Sequence, residues 1–274
     1  MINAYYNGSF LPYQEVKIPL TDRSVFFADA IYEVMLAKAN KIFQFDEHYE
    51  RLRTNCRRIS FTLPFTQSEL KEILQTITSE NSNYSLVYVQ LSSHSCTRMH
   101  TRDSNLVNIL AFSQDINAPL VGENVRLRTE RDSRYSFCDI KTTNLLPAVL
   151  SSISAYHLGV YETIYIRNGY VTECSHSALA ILKNDAVITH PLNSHVLPSI
   201  SCSNLMKAAS KIGLQSQYKL FTFDDLLDSD EIFVLSTTSI LKRASMVDCI
   251  EVGFRNEATT LRIIQELEEQ LKII

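Results

Sequence analysis

A lysine, a carboxylate and a small group of cationic side chains stand out as residues that a packed core does not require. Lys141 closes the apolar stretch around Phe137-Cys138-Asp139-Ile140, just ahead of a helix whose cap is expected at Thr143 or Asn144. A lysine desolvated there has a lowered pKa and can condense with a carbonyl as a Schiff base, although a surface lysine whose head reaches water is the plainer reading. Thirty-two residues on, Glu173 puts a carboxylate into the strand Tyr170-Val171-Thr172-Glu173, where in isolation it reads as a solvated strand residue. Arg98-Met99-His100 places a guanidinium and an imidazole on the same side of an extended segment. With the hydroxyl of Tyr32 they can grip a carboxylate; alternatively they belong to a solvated basic loop continuing through Arg102.

The elements that must position these groups follow from periodicity. Residues 2–13 form a hairpin turning at Asn7-Gly8, and a second strand pair is expected at about 31–38 and 41–45. Asp46 is the expected N-cap of a helix on which His48, Leu52, Cys56 and Ile59 recur at helical spacing. On that wheel Arg51 lies about 60° from the centre of the apolar stripe and can turn inward, while Arg53 and Arg57 point away. A helix at 67–80 and strands at 84–91 and 105–112 complete an α+β domain, residues 1–116. Asn117-Ala118-Pro119-Leu120-Val121-Gly122 reads as a linker, residues 117–122. Residues 123–274 form a second α+β domain: a strand at 125–130, a helix at 143–157, a hairpin through Asn168-Gly169, short strands to about 189, a helix at 200–212 and a strand at 231–235. It closes on an amphipathic helix carrying Leu261, Ile264, Leu267 and Leu271. A small-molecule site is expected where the two domains meet.

Composition removes several functions. The chain has 274 residues, 45% of them hydrophobic, enough for a substantial core. It holds only 6 glycines, no two closer than ten positions, which excludes the glycine-rich loops of dinucleotide and P-loop folds. A net charge of −4 with 26 dispersed basic residues offers no footprint for nucleic acid. No apolar run approaches the roughly 20 residues of a membrane span, and the opening residues have neither a basic nor an apolar leader region, so a cytoplasmic protein is expected. The 6 cysteines, at least 28 positions apart, fit reduced thiols better than disulfides or a metal site.

Taken in order, the stretches of this chain resemble the fold-type IV family of pyridoxal-phosphate enzymes, the class IV aminotransferases. The resemblance is carried by Thr21-Asp22-Arg23, Phe27-Ala28-Asp29-Ala30-Ile31-Tyr32-Glu33 and Phe45-Asp46-Glu47-His48-Tyr49-Glu50-Arg51-Leu52. It continues in Asp139-Ile140-Lys141, Asn144-Leu145-Leu146, Val171-Thr172-Glu173 and Thr189-His190-Pro191, and then in Leu197-Pro198-Ser199-Ile200-Ser201, Asp230-Glu231-Ile232-Phe233 and Ser236-Thr237-Thr238-Ser239. It implies a two-domain α+β fold with pyridoxal 5'-phosphate bound at the domain interface, amino and 2-oxo acids as substrates, and a homodimer. Lys141 is then the catalytic lysine that anchors the cofactor and moves the proton at the substrate Cα. Glu173 pairs with the pyridine nitrogen. Arg51, the hydroxyls of Ser236 and Thr237 and the backbone N–H groups of Ile200 and Ser201 bind the phosphate. Tyr32, Arg98 and His100 match the substrate-carboxylate trap of D-amino-acid aminotransferases.

The resemblance therefore implies transamination between a D-amino acid, such as D-alanine, and a 2-oxo acid. Glu173-Cys174 resembles instead some aminodeoxychorismate lyases, which release pyruvate and 4-aminobenzoate, so that activity is an alternative. The chain also departs from the family pattern. Ala28, Ala30, Cys174 and Ser199 occupy positions commonly held by glycine, and Cys202 one commonly held by arginine. A Cβ where φ > 0 is wanted costs about 1 kcal/mol or more. A member that binds its cofactor weakly, or not at all, is the third expectation.

Overall fold

The protein is described by a computed structural model covering residues 2–79, 81, 83–94, 98–102 and 104–272. Two compact units divide the chain: Met1–Ala118 with Ile140–Asn144, and Pro119–Asp139 with Leu145–Ile273. Both are α+β, the class the element pattern predicts.

The first unit contains β1 (Ala4–Tyr6), β2 (Ser9–Leu11), α1 (Arg23–Phe27), β3 (Ala30–Lys38), β4 (Lys41–Ile42), α2 (Phe45–Arg58), α3 (Gln67–Thr78), β5 (Tyr84–Ser93) and β6 (Val107–Asp115). Its strands form one antiparallel sheet in the order β2-β1-β6-β5-β3-β4. Strand parity decides what the sheet buries. Ile31, Met35 and Ala37 of β3 join Val87, Val89 and Leu91 of β5 in a core with Leu52 and Cys56 of α2 and Leu70 and Leu74 of α3. Tyr32 and Val34 take the opposite face, where the Tyr32, Tyr88 and Phe112 rings stack in series at 5.5 and 5.0 Å. Glu33 has the parity of the core residues and is fully buried. A carboxylate there must find a cation.

The expected cap of α2 is displaced. The helix begins at Phe45, whose ring is buried, with Gln44 as N-cap in the left-handed region; Asp46 lies inside the first turn and accepts a hydrogen bond from Gln67 Nε2 at 2.7 Å. An acidic side chain in the first turn still complements the helix dipole. The expected boundary near residue 117 also needs one amendment, because Ile140–Asn144 packs with the first unit. The Tyr32 N–H donates to the Lys141 carbonyl at 2.9 Å, the Thr143 N–H donates to the Ala30 carbonyl at 3.1 Å, and Thr142 bridges Ile31. Lys141 is therefore held against the start of β3 rather than within the C-terminal unit.

The second unit contains β7 (Glu123–Arg131), α4 (Leu146–His157), β8 (Glu162–Arg167), β9 (Tyr170–Cys174), β10 (Ala178–Lys183), β11 (Ala186–Thr189) and α5 (Ile200–Lys211). It ends with β12 (Gln215–Tyr218), α6 (Phe223–Leu227), β13 (Glu231–Leu235), β14 (Lys242–Val247), β15 (Ile250–Glu251) and α7 (Glu257–Lys272). The sheet order is β12-β11-β10-β13-β14-β7-β8-β9, with β15 paired to β14. β7 runs parallel to both its neighbours and β12 parallel to β11, so the sheet is mixed. Leu127, Ile164, Val171, Ile181, Ile232 and Val234 fill its core. The β8–β9 hairpin turns at Asn168 (φ 52°) and Gly169 (φ 83°), the left-handed pair a type I′ turn requires.

Neither Thr143 nor Asn144 caps α4. Leu145 is the N-cap and makes no side-chain capping bond, and Pro147 stands in the first turn, where a missing N–H costs nothing. The two polar side chains instead both donate to the Ala28 carbonyl, Thr143 Oγ1 at 3.2 Å and Asn144 Nδ2 at 3.1 Å.

Candidate active site

In the first unit the chain's geometry concentrates on β3 and α2. Lys141 is half-buried with its Nζ 4.3 Å from the centroid of the Tyr32 ring, so the ammonium faces an aromatic surface rather than open water. One residue further along β3, Glu33 points into the core and receives two charge-assisted bonds from Arg51, Nε to Oε1 and Nη2 to Oε2, both 2.8 Å. His48 Nδ1 lies 2.7 Å from the same Oε2. Residues 48 and 51 are one helical turn apart, which is why both reach one carboxylate.

The charges in this cluster are well defined. Burial pushes the Glu33 carboxyl upward, but the Arg51 guanidinium and the His48 ring outweigh it and hold the group at about 2. Burial lowers His48, and Arg51 and Lys141 add to this, against the pull of Glu33. The imidazole is therefore neutral near pH 7 and must carry its proton on Nδ1 to meet a carboxylate. Arg51 turns inward as its place on the wheel predicts, with a side chain only 12% exposed, while Arg53 pairs with Glu50 at the surface.

Arg98 and His100 both rest on the aromatic rings of α1. The Arg98 guanidinium sits over the rings of Phe26 (5.8 Å) and Phe27 (5.2 Å), and the His100 ring packs on Phe27 at 5.2 Å. Tyr32 stacks on Tyr88.

In the second unit Glu173, near the end of β9, is buried. Its Oε1 accepts from Arg134 Nη1 at 2.5 Å and its Oε2 from the Leu197 N–H at 3.0 Å. Arg134 is itself clamped by Asp132, whose carboxylate takes Nε and Nη2 at 3.0 Å each and also receives Arg167. Burial raises the pKa of Glu173, with Arg134 and the Leu197 N–H opposing it. Three residues beyond Leu197, α5 begins: Ser199 Oγ caps the Cys202 N–H at 3.2 Å, and among the described residues the Ile200 and Ser201 N–H groups donate to no protein acceptor. These are the orphan donors with which a helix start receives an anion. At the end of β13, Ser236 Oγ lies 2.7 Å from Ser239 Oγ and accepts from the Ser239 N–H, which makes a tight hydroxyl-bearing turn that includes the half-buried Thr237.

The departures from glycine prove uneven. Ala28 does adopt a left-handed conformation, φ 47°, as the C-cap of α1. Ala30 sits in regular strand, Ser199 has φ −76°, and Cys174 is not among the positive-φ residues. Only one of the four positions pays the backbone penalty.

Glu33, Arg134 and Asp132 are site residues that sequence reasoning missed. Glu33 left a usable signal, a lone charge at the buried parity of an apolar strand. Arg134 left none, since Arg131-Asp132-Ser133-Arg134 reads as a solvated charged run.

The Amino-transferase class IV family profile matches residues 30–244. The D-alanine aminotransferase of Bacillus licheniformis is 30% identical over 252 residues, covering 90% of this chain and 89% of that protein. Among solved structures, the branched-chain aminotransferase of Thermoproteus uzoniensis superimposes with a TM-score of 0.89 at 20% identity, over 99% of this chain and 95% of the other. A putative 4-amino-4-deoxychorismate lyase of Legionella pneumophila gives 0.86 at 18% identity, over 94% and 97%. The two structures speak to the fold alone.

Proposed function

Because the chain belongs to the class IV aminotransferases, pyridoxal 5'-phosphate enzymes acting on amino and 2-oxo acids, we propose that it moves an amino group between a D-amino acid, such as D-alanine, and a 2-oxo acid. The observation that carries the reading is Lys141, pinned by backbone bonds to β3 with its Nζ over the Tyr32 ring. Similarity to a D-alanine aminotransferase over nine-tenths of the chain supports the choice of substrate class.

The donor set suits the cofactor. In the second unit the Ile200 and Ser201 N–H groups, without a protein acceptor among the described residues, and the Ser236 and Thr237 hydroxyls are donors of the kind a phosphate dianion needs; in the first unit the Arg51 guanidinium is another. Glu173, paired with Arg134, offers the buried carboxyl group that a protonated pyridine nitrogen needs. When bound, the cofactor supplies a ring that withdraws electrons from the substrate Cα. Lys141 is the residue that would hold it, and its amine would take the substrate Cα proton and return it as acid. Glu33 and His48 hold Arg51 in its inward rotamer, and Arg98, His100 and Tyr32 are assigned to the substrate carboxylate.

Half-reactions with D-alanine, L-leucine and aminodeoxychorismate, followed by the cofactor's absorbance, test the assignment. Conversion by D-alanine, weakened in Arg98→Ala, is expected; conversion by L-leucine alone removes the D-amino-acid reading. The lyase alternative is supported by Glu173 and Cys174, adjacent and both buried, and it wins if aminodeoxychorismate yields pyruvate while D-alanine leaves the spectrum unchanged.

A homodimer belongs to the same reading. Leu146, Val149, Leu150 and Ile153 of α4 are 47–69% exposed at i, i+3, i+4 and i+7, an apolar stripe of the kind an interface covers. The described cysteines are all free thiols, in keeping with a reducing cytoplasm as its location. Among the described residues no helix is long and apolar enough to cross a membrane.

A further inference from the structure

Residues 98–102 carry two of the groups assigned to substrate, yet among the described residues this segment makes no backbone-to-backbone hydrogen bond. Its carbonyls turn instead to one side chain. Arg23 is 4% exposed; its Nη1 donates to the Met99 carbonyl and, at 3.4 Å, to that of Thr101, and its Nη2 donates to the His100 carbonyl at 3.2 Å. Its Nε is fixed by Asp29 Oδ2 at 2.8 Å, and its guanidinium lies over the Phe27 ring at 4.6 Å. That ring is the one on which Arg98 and His100 also rest. The far end of the segment is tied separately, by Arg102 to the Ile59 carbonyl at 2.7 Å and to Asp29 at 3.5 Å.

Three consecutive carbonyls on one buried cation is a demanding arrangement. It needs several donors in a rigid fork, which arginine has and lysine lacks, and an acid to balance the charge. No catalytic or cofactor role accounts for it. We propose that Arg23 is a positioning residue: braced by Asp29 and Phe27, it gathers the carbonyls of residues 99–101 and so presents Arg98 and His100 as a fixed pair of donors for the substrate carboxylate. The inference rests on the carboxylate role given to Arg98 above. Without Arg23 the segment must be ordered by the substrate at each binding event, which weakens affinity and leaves the chemistry at Lys141 intact.

The test uses the cofactor-loaded enzyme and four variants: Arg23→Gln, Arg23→Lys, Arg98→Ala and the Arg23→Gln/Arg98→Ala double. Two quantities are read, the rate of tryptic cleavage after Arg98 in the folded protein, and KM and kcat for D-alanine. Arg23→Gln is expected to be nicked about tenfold faster and to raise KM about tenfold with kcat within about twofold, the scale of immobilising two rotamer-rich side chains. Arg23→Lys recovers part of both, and Arg23→Gln raises KM by less in the Arg98→Ala background than in wild type. A variant nicked at the wild-type rate, or one whose KM stays at the wild-type value while Arg98→Ala raises it, overturns the proposal, as does a fall in kcat with KM unmoved. If Arg98→Ala leaves KM unchanged, the carboxylate role itself falls, and the nicking rate alone decides whether Arg23 holds the segment.

Discussion

Replacing Glu33 by glutamine keeps the shape of the side chain and removes the charge on which Arg51 and His48 converge. The magnitude follows from the site. The carboxyl is held at about 2 against an ordinary 4.5, and a difference of that size corresponds to roughly 3 kcal/mol of folding free energy. Because the folded-state pKa is depressed, that contribution is fully present above pH 4.5. It falls as pH drops toward 2, to less than half of its neutral value by about pH 3. Glu33→Gln also leaves a largely buried guanidinium facing a neutral amide, a loss of about 3–5 kcal/mol in comparable settings. Urea melts followed by far-ultraviolet circular dichroism at pH 7, 5, 4 and 3 measure both effects. Wild type should exceed the variant by about 3 kcal/mol at pH 7, with the gap shrinking steadily below pH 5. A gap under about 1 kcal/mol, or one that does not change with pH, would refute the argument that this carboxylate is charged and paired in the native state.

Other expectations follow from single features. Ala28→Gly relieves the left-handed φ of 47° and should stabilise the fold by about 1 kcal/mol, read as a shift of the urea midpoint at constant slope. Arg134→Met leaves Glu173 buried without its cation. The carboxyl should then hold its proton to higher pH than in wild type, lowering kcat by about 100-fold, with the carboxyl band in pH-titrated infrared difference spectra persisting to higher pH than in wild type. Leu150→Glu puts a charge into the α4 stripe and should convert a dimer into a monomer in sedimentation velocity without loss of helical circular dichroism.

Much of the architecture was legible because it is written in period. The Asn7-Gly8 and Asn168-Gly169 turns, the positions of strands β3, β5 and β6 and the inward side of α2 follow from alternation, helical spacing and turn chemistry. Elements that rely on partners distant in sequence were not. β12 reads Gln-Ser-Gln-Tyr and is a strand because β11 offers it a parallel edge. β14 opens with Lys242 and Arg243, 9% and 5% exposed, which look like loop until Glu123, Glu231 and Glu257 are found to meet them.

The candidate site divides the same way. Lys141, Arg51 and Glu173 were legible as residue types in recognisable surroundings. Glu33 reaches Arg51 across 18 positions, Arg134 reaches Glu173 across 39, and Arg23 reaches the Met99 carbonyl across 76, relations no local window contains. The glycine deficit was read as backbone strain at four positions, but φ depends on the turn actually formed, and only Ala28 sits in one that wants glycine.

The central claim is that Lys141 carries pyridoxal phosphate and passes a proton at the substrate Cα. Borohydride reduction of the protein supplied with cofactor, followed by peptide mass spectrometry, tests it most directly. The expected result is one phosphopyridoxyl adduct, on Lys141, which disappears when D-alanine is added in excess before reduction. No adduct, or an adduct on another lysine, would contradict the account and leave a cofactor-weak member of the family in its place.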